Sequence, residues 1–214
     1  ELKQQITKLE QARQRRGTMV GPDLAAWEHR LAANGGVQKL ESPEGLHLHY
    51  PLDATTGKRV ANAVGTHGHG AINGNASWTA GRFAEALNCD GKTYIDLGDT
   101  TDFERTDAFS YGAWILPTGG GAVIARMDDT AAYRGWDLFV TGRHVETHMI
   151  HDWPENAIHM KAKQEIKPDH WTHLFVTYDG SSKAAGLRIY FNGKPQPIDV
   201  TRDRLTDTIK TEKP

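Results

Sequence analysis

From residue 46 onward the chain alternates apolar and polar positions in short runs, interrupted every few residues by Gly, Asp, Asn or Pro. Side chains on a strand point to opposite faces in turn, so this period of two predicts an all-β body, a sandwich or barrel. About a dozen runs qualify as strands. The clearest cover residues 46–52, 82–87, 92–97, 108–116, 122–127, 136–141, 144–150, 157–162, 171–178 and 186–191. Between them lies turn chemistry: Thr118-Gly119-Gly120-Gly121, Thr141-Gly142, Asp179-Gly180-Ser181-Ser182 and Asn192-Gly193. No long helical period interrupts this region, which excludes βαβ nucleotide-binding units. Neither a G-x-G-x-x-G before a helix nor a phosphate-cradling G-x-x-x-x-G-K-[ST] occurs.

In the run 171–178, Leu174, Val176 and Tyr178 share one face, while Trp171, His173, Phe175 and Thr177 share the other. Both faces are partly apolar, which predicts a central strand whose inner side meets a second sheet. Phe109, Tyr111, Ala113 and Ile115 likewise share one side of their run, opposite Trp114 and Leu116. Trp114 and Trp171 are read as packing residues.

The pattern before residue 46 is different. Leu2, Ile6 and Leu9 recur at spacings of four and three among Lys, Gln, Glu and Arg, predicting a short amphipathic or coiled-coil helix of fewer than three heptads. A second helix is expected over 22–33, with Trp27 on its buried side and Asn34-Gly35-Gly36 as its stop. The expected organisation is a helical linker, 1–45, followed by a β domain, 46–214. The chain starts at Glu1 without an initiator Met and ends at Lys213-Pro214, so it reads as cut from a longer polypeptide.

Composition narrows the function classes. With 214 residues, 38% of them hydrophobic, there is enough apolar mass for one substantial core. Lys and Arg number 25 against 27 Asp and Glu, a net charge of −2, so nothing attracts the chain to a phosphate backbone. Nucleic acid is not an expected partner. The longest apolar runs, such as Ala122-Val123-Ile124-Ala125, fall far short of the roughly 20 residues of a membrane span. Cys89 is the only cysteine, which excludes an internal disulfide and a cysteine zinc cluster, and the following Asp90-Gly91-Lys92 excludes covalent haem attachment.

Five segments in order carry a resemblance: Leu48-His49-Tyr50-Pro51-Leu52-Asp53, Asn88-Cys89-Asp90-Gly91-Lys92-Thr93-Tyr94-Ile95, Phe109-Ser110-Tyr111-Gly112-Ala113-Trp114, Trp171 through Gly180, and Leu187-Arg188-Ile189-Tyr190-Phe191-Asn192-Gly193-Lys194. Together they resemble the laminin G-like, concanavalin A-like domain over about residues 46–214. The stretches His151 to Ile158 and Lys183 to Gly186 further resemble the version found in large planctomycete surface proteins, many of which carry a separate c-type cytochrome domain. The resemblance implies a two-sheet antiparallel jelly-roll sandwich behind an N-terminal helical extension. It implies a glycan or protein partner held on a concave face and its rim loops, calcium as a candidate cofactor, and a secreted, periplasmic or cell-surface location. Members usually continue past the position of Pro214 with an edge strand and a closing strand, so residues 46–52 are expected to lack strand partners.

Sugar recognition needs flat apolar surfaces for pyranose C–H faces and planar polar groups for hydroxyls. Two stretches supply that mixture, and from them Tyr133, Arg134, Trp136, His151, Asp152, Trp153 and Asn156 are the candidate ligand-binding residues. Trp136 also fits a core position, and Pro154 also fits a structural turn around Trp153. For calcium, which takes six to eight oxygen ligands, the candidates are Asp53, Asp90, Asp99 and Asp102; the competing reading is solvated turn acids. His47 and His49, His67 and His69, and His144 and His148 share strand parity as two-ligand half-sites, but spacing supplies no third ligand.

Catalysis has little sequence support. Glu146 stands alone between Val145 and Thr147, the adjacent Asp128 and Asp129 project to opposite sides, and no G-x-S-x-G or H-E-x-x-H occurs. The expectation is a non-catalytic carbohydrate-binding module of a larger secreted or surface protein; the alternative is a protein-interaction or scaffolding domain packing on other domains of its parent.

Overall fold

The computed structural model describes residues 5–7, 44–53, 57–64 and 69–212. The chain divides into two compact units, Glu1–Leu46 and His47–Pro214. In the first, residues 5–7 form a helical turn. The helix expected over 22–33, with Trp27, lies outside the described residues, as does His67.

The second unit is built from strands. In chain order they are β1 (Arg59–Val60), β2 (Gly70–Asn73), β3 (Ser77–Ala80), β4 (Glu85–Asn88), β5 (Tyr94–Asp96), β6 (Phe109–Ile115), β7 (Gly121–Asp128), β8 (Arg134–Thr141), β9 (His144–Asp152), β10 (Asn156–Glu165), β11 (Thr172–Tyr178), β12 (Leu187–Phe191), β13 (Lys194–Pro195) and β14 (Ile198–Arg204). A single 3-10 turn, Ala184–Gly186, precedes β12. Every pairing between these strands is antiparallel.

Two sheets form the body: five strands in the order β14-β10-β9-β8-β7, and four in the order β13-β12-β11-β6. Their inner faces share one core. Trp136, Leu138 and Val140 of β8, Val145 and Met149 of β9, and Ile158, Met160 and Ala162 of β10 are buried in the same cluster as Phe109 and Tyr111 of β6, Leu174, Val176 and Tyr178 of β11, and Leu187 and Ile189 of β12. The all-β two-sheet architecture expected above is therefore the observed one. Smaller sheets, β1-β2-β5 and the β3-β4 hairpin, are formed by the earlier strands.

Local chemistry explains the tight connections. β12 and β13 are joined through Asn192 and Gly193, at φ +50° and +77°, the left-handed pair that a twisted two-residue hairpin requires. Segment 46–52 departs from expectation. It is not a strand; it is held by the Ala63 amide donating to His49 O at 2.7 Å and the His49 amide donating to Asn62 Oδ1 at 2.9 Å. Pro51 lacks a donor and Leu52 sits at φ +55°, so a continuous ladder cannot form there.

One polar bridge crosses the core. The Tyr111 hydroxyl of β6 lies 2.7 Å from Thr147 Oγ1 of β9 and 3.1 Å from the carbonyl of Asp137 in β8, which also accepts from Thr147 Oγ1 at 2.7 Å. Burial pushes the Tyr111 phenol far above its ordinary range, so it stays a neutral donor. Tyr111→Phe leaves the Thr147 and Asp137 groups one partner short. The expected cost is about 1–2 kcal/mol in urea unfolding, with Tyr133→Phe, on an exposed loop, as the unchanged control.

Candidate functional site

The five-stranded sheet carries a polar row on the face opposite the core. Antiparallel register sets Asp137 of β8 against His148 of β9, and His148 against His159 of β10. These residues alternate with the inward Trp136, Met149 and Ile158, so burying the apolar set presents the polar set outward. Two bulges complete the row. One between Asn156 and Ala157 shifts the β9-β10 register by one residue; another, opposite His159 and Met160, leaves Thr201 of β14 as the extra residue beside His159.

The contacts along the row are specific. Asp137 Oδ1 accepts from both the His148 backbone amide at 2.9 Å and His148 Nδ1 at 2.8 Å. The His148 and His159 rings stack, with centroids 4.1 Å apart and planes 18° apart. His159 Nδ1 lies 2.6 Å from Thr201 Oγ1, and its Nε2 lies 3.1 Å from Glu146 Oε2. Lys161 Nζ sits 3.6 Å from the other Glu146 oxygen. The side chains of Asp137, Glu146, His148 and His159 are only 6–16% exposed. Burial, then the neighbouring His148, lowers the His159 pKa below the usual imidazole range.

Trp153 stands at one end of the row. Its ring meets His148 and His159 edge to face, at centroid distances of 5.3 and 5.6 Å. The Trp153 amide donates to Ala132 O at 3.0 Å, tying the β9-β10 loop to the β7-β8 loop. Arg134 Nε donates to His151 O at 3.2 Å, and His151 Nδ1 donates to Thr208 O at 2.8 Å. Asn156 donates to Thr206 Oγ1 and Asp207 Oδ2 and accepts from the Thr206 amide. Arg134, His151, Trp153 and Asn156 thus belong to one bonded rim. Exposed Tyr133 lies in the β7-β8 loop, at φ +61°, and exposed Asp152 ends β9.

Trp136 needs correction as a ligand contact. It is 2% exposed, packed in the core against Phe103, Phe109 and Tyr111, because its parity on β8 is that of Leu138 and Val140. The four acids proposed for calcium do not form a cage either. Asp90 Oδ1 accepts the Lys92 and Thr93 amides of its own turn, while Asp99 and Asp102 lie 2.8 and 3.6 Å from the buried Arg126 guanidinium. Asp53 is exposed in the segment before β1. Among the described residues, the group of three or more His, Cys, Asp or Glu side chains whose ligand atoms converge is Glu146, His148 and His159. Glu146, read from sequence as solitary, shares its face with His148 two residues along β9 and meets His159 and Lys161 of β10 across the sheet. His144, which shares its parity, pairs with Glu165 at 3.4 Å; His47, His49 and His69 are exposed.

The opposite sheet shows a second feature. Trp114, read as packing, is 38% exposed on the outer face of β6, beside His173 at 5.2 Å. Phe83, 80% exposed in the β3-β4 turn, meets it edge-on at 5.7 Å, with the Arg82 guanidinium over both rings.

Comparison with known families bears on the whole β body. A family described as the concanavalin A-like lectin/glucanases superfamily matches residues 90–211, more than half the chain. The chain belongs to that superfamily. No curated protein and no solved structure gives a significant match. The superfamily match spans β5 to β14, and so includes every member of the polar row; Phe83 and Arg82 precede it. Among the described residues, no helix is long and apolar enough to cross a membrane.

The lowered His159 pKa fixes the sign of an acid response. Unfolded, this imidazole takes up a proton at higher pH than folded, so stability falls as pH drops through the ordinary imidazole range and levels off below the folded value. His173, lowered by burial, adds in the same direction. A thermal-melt series from pH 7.5 to about 5 should show a smaller fall for His159→Gln than for the parent chain.

Proposed function

We propose that this domain is a non-catalytic carbohydrate-binding module of a larger secreted, periplasmic or surface protein, and that the outer face of the five-stranded sheet takes the sugar. The observation carrying this reading is the position of Trp153. A part-exposed indole stands beside a row of imidazole, carboxylate, hydroxyl and ammonium groups, the apolar and planar-polar mixture that saccharide hydroxyls and C–H faces require. The superfamily supports it, since lectins give that family part of its description.

The non-catalytic half of the proposal rests on how the carboxylates are used. Glycoside hydrolysis needs one carboxyl to hold a proton for the leaving group. Asp137 instead accepts two N–H groups of His148, and Glu146 lies between His159 and Lys161.

The exposed Arg82, Phe83 and Trp114 surface favours a second reading, a domain that packs on other parts of its parent protein. Exposed aromatic patches of this kind mark protein contacts. Polysaccharide pull-down and glycan-array binding separate the two. Trp153→Ala is expected to weaken binding roughly tenfold or more, as loss of an aromatic anchor does, while Phe83→Ala leaves it unchanged. Uniform failure against plant, algal and bacterial polysaccharides transfers the assignment to the protein-contact reading.

A further inference from the structure

We infer that Glu146, His148 and His159 form a binding site for a divalent transition-metal ion of the zinc class, whether or not the same face takes a sugar. One ligand atom from each of the three lies within 4.8 Å of the others. Tetrahedral zinc sets nitrogen and oxygen donors about 3.3 Å apart, given bonds near 2.0–2.1 Å. Closing that gap asks the His148 and His159 rings to tilt out of their parallel stack so that their Nε2 lone pairs converge on one point.

The surroundings are those of a metal site rather than of three chance neighbours. A metal-bound imidazole donates its second nitrogen to an acceptor, which fixes the ring. For His148 that acceptor is Asp137 Oδ1, also anchored by the His148 backbone amide, which leaves Nε2 for the metal. For His159 it is Thr201. With Nε2 on a metal, His159 Nδ1–H donates to Thr201 Oγ1, whose own proton has the His159 carbonyl at 3.3 Å. Both rings come from adjacent strands and stack nearly parallel, so they are positioned by the sheet and not by flexible loops.

The donor set also selects the metal. Two imidazoles and one carboxylate suit zinc, nickel or copper, whereas calcium needs six to eight oxygens. Three protein donors leave a coordination position open to water or to a ligand oxygen. Lys161 is the opposing charge: its ammonium faces Glu146 Oε1 at 3.6 Å and competes with an ion for that carboxylate. Asp137 supplies negative charge from the other end of the row.

The test is calorimetric titration of the full 214-residue chain, carrying no histidine tag, with zinc chloride at pH 7.5. One zinc per chain is expected, together with a rise in melting temperature. His148→Gln, His159→Gln and Glu146→Gln should each weaken binding roughly tenfold or more. Lys161→Met, a change at a part-exposed position that leaves the core intact, should tighten it. Substitution of His47 and His49 by Gln should change nothing, and excess calcium should not displace the ion. Cobalt in place of zinc should give visible absorption that the His159 variant lacks. The inference is overturned if the parent chain shows neither heat nor a melting shift, if the three ligand variants bind like the parent, or if Lys161→Met leaves the affinity unchanged. None of these readouts involves a glycan, so failure here is distinct from failure of the sugar-binding proposal.

Discussion

The register of β8, β9 and β10 is the constraint on which the rest of the molecule depends. Trp136, Met149 and Ile158 form a row in the core, and the next residues along, or the one before, are Asp137, His148 and His159. A slip of one residue would put a carboxylate and two imidazoles into the apolar interior and a tryptophan into water. The core therefore holds the outer row in place. Its geometry is inherited from hydrophobic packing, with hydrogen bonds refining it.

Satisfaction of polar groups divides the acids of this domain into two uses. Asp99 and Asp102 converge on Arg126, a buried cation that also donates to the Thr211 carbonyl and so ties the segment after β14 to β7. Asp102 reaches Lys210 of that same segment. Their work is structural. Asp137 and Glu146 sit instead on a sheet face, each directed at an imidazole, where the partners are neighbouring strands and the open side is solvent. Acidic residues of the same type thus pair with a guanidinium at one place and with imidazoles on an open sheet face at another.

The two outer faces of the sandwich differ in character. On the five-stranded sheet the row is polar, narrow and roofed at one end by Trp153. On the four-stranded sheet Trp114, His173 and Phe175 follow one another along β6 and β11, with Phe83 and Arg82 laid over the end. Membership of the concanavalin A-like lectin/glucanase superfamily accounts for the layers they share. The residues on each face, not the layers, distinguish a polar surface from an aromatic one.

Alternation alone determined the class of this protein. The runs at 108–116, 122–127, 136–141, 144–150, 157–162, 171–178 and 186–191 became β6 to β12 with shifts of only a few residues at their ends, because each carries its own period of two and its own turn. β1, β2, β3, β13 and β14 were not visible that way: four are very short, and β14, an edge strand, has only Ile198 and Val200 as apolar positions among Asp199, Thr201, Arg202, Asp203 and Arg204. The rim residues from Tyr133 to Asn156 were legible as loop chemistry, yet Trp136 among them was decided by parity against a core that no local window contains. Glu146, His148 and His159 needed still more. Counting back from the pair Asp152 and Asn156 sets His148 opposite Met160, an inward residue; the bulge at Asn156 and Ala157 moves His159 there instead. Which residues form strands is a local property, written in side-chain alternation. Which of them meet across strands depends on single-residue shifts in backbone pairing, and those are set only when the two sheets close on their shared core.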